Sequence, residues 1–245
     1  MLRTFRCDLH IHTCLSPCAE LDMYPTAIVE RAAQRALDVI AVCDHNSSEN
    51  VAYVRKCAAL RRLIVLAGME ITSREEVHLL ALFDDLFQLE ALQELIYTHL
   101  PGTNDETAFG CQVIVNDADE VEGFNEHLLI GAVDLGLADL IAAVHSRGGL
   151  AIAAHIDRPS FSVLSQLGFI GPDMPFDALE VTWRLGMRKA RERYPELSSY
   201  AMVESSDAHF LEDIGRTATC ISLERPTTEE LKLAFAHSGG REVQI

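Results

Sequence analysis

Two periods of apolar and polar residues alternate along the chain. Short apolar runs rich in β-branched residues predict strands over Phe5 to His12, Asp38 to Cys43, Leu63 to Gly68, Val77 to Phe83, Gly149 to Ala154, Ala178 to Val181, Met202 to Ser205 and Thr217 to Ser222. Segments of helical period lie between them: Thr26 to Ala36, Asn50 to Arg61, Leu86 to His99, Asp134 to Ser146, Phe161 to Leu167, Gly186 to Arg193 and Thr228 to His237. Strand alternating with helix over a whole chain predicts parallel βα units closed into an α/β barrel. An open doubly wound sheet is the alternative, and no GxGxxG or P-loop string supports it. Residues 101–126 break the alternation and read as a turn, a hairpin pairing Gln112 to Val115 with Glu120 to Phe124, and an acidic loop. We expect one domain over residues 1–245, with 101–126 as a small insertion.

Composition narrows the class. Of 245 residues, 49% are hydrophobic and 23% charged, enough to bury a sizeable core. Asp and Glu number 37 against 20 Lys and Arg, a formal net charge of −17. Such a surface repels polyanions at long range, which argues against long nucleic acid and anionic membranes as partners. No apolar stretch has the length of a signal-peptide core or a membrane span, so a cytoplasmic location is expected. The seven cysteines form no CxxC pair, and suit neither a disulfide framework nor a four-cysteine zinc site.

The ten histidines carry the chemistry. His99, His127, His145 and His237 fall in helical or connecting segments and read as surface or boundary residues. The other six fall in predicted strands or directly after them, where a parallel barrel gathers side chains on one rim. DLHIHT places His10 and His12 two apart, so both imidazoles leave one face of a strand. CDHN supplies Asp44 and His45, GMEIT supplies Glu70, VHLLALF carries His78, AIAAHIDRP ends in His155, and SSDAHF holds Asp207 and His209. A lone strand histidine is usually a core residue, but six with two carboxylates form a ligand set. Its nitrogen-rich mixture favours Mn, Fe or Zn over Ca or Mg. Eight candidates exceed one tetrahedral site, so two or three divalent ions are expected, with Glu70 bridging.

In order and spacing these motifs resemble the polymerase and histidinol phosphatase (PHP) superfamily of metal-dependent phosphoesterases, and in particular small standalone bacterial members. The resemblance runs from residue 8 to residue 209. It implies a distorted (β/α)7 TIM-like barrel. It also implies one ion among His10, His12, Glu70 and Asp207, a second among Glu70, His78 and His155, and a third held by His45 and His209. The last ligand of the third site falls at Cys18, where related enzymes use His or Asp; Cys18 or the nearby Glu20 stands in for it, or Cys18 is a buried loop thiol.

The expected reaction is attack on a phosphoester by a metal-bridging hydroxide, with Glu70, Asp207 and His209 as catalytic residues. Asp8 and Asp44 adjoin ligands and are expected to orient imidazoles, although Asp44 could equally serve a turn. Arg158 at the rim is the first choice to hold a substrate phosphate, pairing with Asp157 being its alternative, and Arg184 is the second. The expected substrate is a small phosphomonoester, a nucleotide or a short oligonucleotide, with histidinol phosphate as the alternative. A His-rich amidohydrolase would show a carboxylated strand lysine, and Lys56, Lys189 and Lys232 all fall on predicted helices. A metal-binding regulatory module without catalysis is the reading from a different class.

Overall fold

The computed structural model describes residues 1–171 and 174–244. The first half runs β1 (Arg3–Ile11), α1 (Pro25–Gln34), β2 (Val39–Val42), α2 (Val51–Ala58), β3 (Ile64–Thr72), β4 (His78–Phe83) and α3 (Leu86–His99). A short α4 (Glu106–Phe109) and the pair β5 (Val113–Val115) and β6 (Val121–Phe124) follow. The chain continues through α5 (Leu137–Ser146), β7 (Leu150–Ala153), α6 (Val163–Leu167), β8 (Ala178–Thr182), α7 (Met187–Arg193), β9 (Ala201–Ser205), β10 (Thr219–Leu223), α8 (Thr228–Phe235) and β11 (Glu242–Gln244).

The main sheet has the order β11-β10-β1-β2-β3-β4-β7-β8-β9. Beyond β9 the chain bridges back to β1, Ile11 pairing with Ala208 in parallel and the His12 N–H donating to the Ala208 carbonyl at 3.0 Å. The sheet from β1 to β9 thus nearly closes into the expected distorted barrel. β10 and β11 extend it outside that ring as an antiparallel flap on β1. β2 is buried at all four positions, as a strand covered on both faces must be. Gly68 lets β3 approach β2 closely, since a Cβ there would stand 2.6 Å from Cys43 Sγ and 2.7 Å from the Val42 carbonyl.

One strand departs from the expected parallel order. β4 runs antiparallel to both β3 and β7. The reason is the length of its connection: residues 73–77 suffice for a hairpin, whereas a parallel crossover needs a dozen or more. The turn is made by Ser73 donating to the Val77 carbonyl at 2.9 Å, with Glu76 in the left-handed region at φ 58°. As a result His78 stands at the start of its strand, opposite Thr72, and still reaches the rim where β3 ends. The expected hairpin is present as β5 and β6, a separate two-stranded sheet. Among the described residues, no helix is long and apolar enough to cross a membrane.

Candidate metal centre

β1 ends in the HxH pair, and both imidazoles are fully buried with their Nε2 atoms 3.1 Å apart. Their other nitrogens are spoken for. His10 Nδ1 lies 3.0 Å from Glu180 Oε2, and His12 Nδ1 lies 2.9 Å from Ser16 Oγ. The Ser16 hydroxyl donates to Asp44 Oδ1 at 2.6 Å, and Asp44 also accepts from the Thr13 N–H and hydroxyl at 2.7 and 2.8 Å. With its own proton committed, Ser16 Oγ can only accept from His12, which fixes the Nδ1–H tautomer and leaves the Nε2 lone pair facing the cluster.

Glu70 is the hub. Its Oε1 lies 2.8 Å from His78 Nδ1, 3.1 Å from His155 Nε2 and 3.4 Å from His10 Nε2, and its Oε2 lies 3.1 Å from His45 Nδ1 and 3.4 Å from His12 Nε2. Asp207 Oδ1 stands 3.5 and 3.3 Å from the Nε2 atoms of His10 and His12. Two ligands each about 2.1 Å from one ion, at tetrahedral or octahedral angles, lie about 3.0–3.5 Å apart, and most of these separations fall in that range. His45 Nδ1 and Asp207 Oδ1 are buried without an aligned hydrogen bond despite their close neighbours. Buried polar atoms that approach one another without bonding suit a shared cation. Three groups could each hold an ion: His10, His12 and Glu70; His45, Glu70 and His78; and His12, His45 and His209. His45 therefore stands between the second and third sets instead of in the third alone.

Among the described residues His155 and Asp207 fall in none of these three groups, though both approach the cluster, and both sit on backbone that resists ordinary geometry. His155 and Asp207, just beyond β7 and β9, have φ of 30° and 50°. Such strain persists where neighbours over-determine it. Glu180 on β8 accepts the His155 N–H at 3.0 Å, so one carboxylate holds both this turn and the His10 ring. Asp8 accepts from the Ser206 and Gly215 N–H groups at 2.9 Å each. Asp8 therefore corrects the sequence expectation: it braces the loop carrying Asp207 and is bonded to no imidazole. Asp44 reaches His12 only through Ser16, and it also ties down the turn after β1.

Burial sets the electrostatics, and the carboxylates partly reverse it. Desolvation pushes the His12 imidazole down to about 3, helped by the nearby His209. His45 is likewise held well below the usual histidine range by its burial. Burial also opposes charge on His10, yet Glu180, Glu70 and Asp207 together hold it well above that range. Burial works to raise Glu70 and Asp207; the histidines around them prevail and keep both ionised. Burial pushes Asp8 up to about 6 against the two N–H donors.

The remaining expected residues divide. Arg158 reaches the rim and donates from Nη1 to Asp207 Oδ2 at 2.8 Å, so its carboxylate partner is Asp207 and not Asp157. Arg184 lines a cavity of about 380 Å³ that also contains Arg158, His155, Asp207 and His209. Cys18 lines the same cavity but belongs to none of the groups that could hold an ion among the described residues. Cys18 is exposed, which corrects the alternative of a buried loop thiol. Glu20 contributes its backbone N–H, which donates to the His209 carbonyl at 3.0 Å. Glu180, Ser16, Trp183 and Arg216 were not anticipated. A single carboxylate inside the apolar run ALEVT was the signal for Glu180; the others had none.

The PHP domain profile matches residues 8–167, about two thirds of the sequence. This chain belongs to the PHP family. Solved structures share the fold. The lesion-specific endonuclease Q of Pyrococcus furiosus superposes with a TM-score of 0.73 at 17% identity, over 99% of this chain and 58% of its own. This PHP chain therefore spans little more than half the length of that enzyme, which has also been solved with a 27-mer duplex carrying an abasic lesion at the active site. A Bifidobacterium adolescentis protein assigned to the metal-dependent phosphoesterases matches at TM-score 0.57 and 20% identity, over 83% of this chain and 87% of its own. A Chromobacterium violaceum amidohydrolase with bound sulfate matches at 0.59 and 20%, over 85% and 89%. At these identities the likenesses carry the fold alone. A comparison with curated sequences finds no match.

Proposed function

We propose that this PHP protein hydrolyses a small phosphate ester, a phosphomonoester or short nucleotide, using two divalent ions on either side of Glu70, with His12, His45 and His209 able to complete a third set. Mn, Fe and Zn fit the nitrogen-rich donors. The observation that carries this reading is the convergence of five imidazoles on one buried carboxylate, with Asp207 against His10 and His12, beside a cavity of about 210 Å³ that Glu70, Asp207 and Arg158 all line. Bound divalent ions lower the pKa of water and stabilise charge on phosphoryl oxygens.

The chain's own residues supply the rest. The Arg158 fork has donors to spare beyond its bond to Asp207, and these can bind a phosphate oxygen and turn the ester for in-line displacement. His209 holds its ring with Nδ1–H on the Asp207 carbonyl at 2.9 Å. That hold leaves Nε2 as the nitrogen through which a proton could reach the leaving oxygen. Glu180 and Ser16 keep His10 and His12 turned toward the cluster, so little reorganisation accompanies the reaction.

The test is a phosphoester panel, with p-nitrophenyl phosphate, histidinol phosphate, nucleotides and short oligonucleotides, offered to protein loaded with Mn, Fe or Zn and to chelated protein. Turnover of at least one small ester that disappears on chelation and returns with metal is expected. Full loading without hydrolysis of any ester would overturn the proposal in favour of a metal-binding regulatory module.

A further inference from the structure

The cavity that His155, Asp207 and His209 reach is also lined by a wall that hydrolysis of a bare phosphate group does not require. Trp183, the single tryptophan of the chain, is 40% exposed there, beside Phe210 at 42%. The guanidinium carbons of Arg184 and Arg216 lie 5.2 and 4.8 Å from the indole centre. Arg216 is paired with Asp213, but Arg184 makes no hydrogen bond or ion pair among the described residues. The cavity carries three arginines against three carboxylates, Glu180, Asp207 and Asp213, with Arg158 and Arg216 paired to two of them, so Arg184 is its one uncommitted cation among the described residues. A second observation points to a ligand: the Ser205 hydroxyl, 2% exposed and lining the same cavity, has no partner.

Flat aromatic and guanidinium surfaces stack on nucleobases with little regard to sequence, and an unpaired guanidinium beside them suits an adjoining phosphate. About 380 Å³ lies at the small end of ligand pockets. That size admits a nucleotide unit. Resting on the phosphoesterase reading, we propose that this wall is the leaving-group subsite and that the substrate is the terminal nucleotide of a short single strand. Its base lies against Trp183, and the phosphate that follows it meets Arg184. The chemical step is plain hydrolysis: a water oxygen joins phosphorus, the ester P–O bond breaks, and the leaving oxygen takes a proton.

With only one tryptophan, the wall reports its own occupancy. We expect quenching of Trp183 fluorescence in the zinc-loaded protein by AMP and by the 5′-phosphorylated dinucleotide pApA, with no quenching by ribose 5-phosphate. The dinucleotide is expected to bind about tenfold tighter than AMP, an advantage lost in Arg184→Ala. The ratio of kcat/KM for AMP over ribose 5-phosphate is expected to fall about tenfold in Trp183→Ala and to be largely kept in Trp183→Phe. Equal binding of AMP and ribose 5-phosphate, an unchanged ratio in Trp183→Ala, or tighter binding of a duplex than of its single strand would each overturn the subsite. Quenching by AMP without turnover of any ester would instead sink the phosphoesterase reading and leave the subsite standing.

Discussion

The buried metal cluster, the floor of the site, and the aromatic wall of the adjoining cavity are built on different principles. On the floor, His10, His12, His45 and Glu70 are almost wholly buried, and the rings of His10 and His12 are fixed by a hydrogen bond to Glu180 or Ser16. On the wall, Trp183 and Arg184 directly follow β8 and Arg216 lies in the loop before β10; they stand partly in solvent and lean on one another through weaker cation-π contacts. A buried, over-determined set is suited to chemistry that tolerates little displacement. A half-exposed set that can yield is suited to choosing among substrates. Changes to the floor should therefore alter metal content and rate, and changes to the wall should alter preference.

The sharpest break in that contrast is Asp207→Asn, which removes a charge from the floor and the partner of Arg158. We expect a fall in kcat of about 10³-fold or more, with loss of bound metal, measured on p-nitrophenyl phosphate beside metal analysis. Next comes Glu180→Gln, which should weaken metal binding about 10–100-fold in a chelator competition while the fold is kept. An unaltered affinity would remove Glu180 from the positioning role.

Proton release sharpens the same point. In the metal-free protein the carboxylates hold His10 above the usual histidine range, so near neutrality it carries a proton on the nitrogen an ion would need. Metal affinity should therefore rise with pH until His10 has titrated. Calorimetry in buffers of different ionisation enthalpy should show proton release that is smaller in Glu180→Gln, where one cause of the raised value is gone. Equal heats across buffers would contradict this.

Smaller effects belong higher in the cavity. Arg158→Ala should raise KM for phosphate esters about tenfold, the scale of one charge-assisted hydrogen bond. An unchanged KM would remove Arg158 from substrate binding.

Much of the floor was legible in the sequence because strand geometry put it there. Alternation fixed His10 and His12 on one face, and strand ends brought His45, Glu70, His155 and Asp207 to one rim. His78 reached that rim by a different route, since the short connection before β4 forces a hairpin and reverses the strand. Proximity to a ligand in sequence misled for Asp8, whose bonds go to the loop of Ser206 and to Gly215. Glu180 was hidden because one acidic residue in a strand reads as its polar face until the barrel closes around it. Of the wall only Arg184 was legible, because Trp183 follows β8 while Arg216 lies in the loop before β10, and no local pattern predicts that an indole will gather two guanidiniums.

The account rests on Glu70 as the shared centre of the metal cluster. The direct test is metal stoichiometry by mass spectrometry, with turnover on the same samples, for the wild-type protein and Glu70→Gln. The account predicts at least two ions per wild-type chain, and a variant that has lost both metal and activity. A Glu70→Gln protein with the wild-type metal content and full turnover would contradict it.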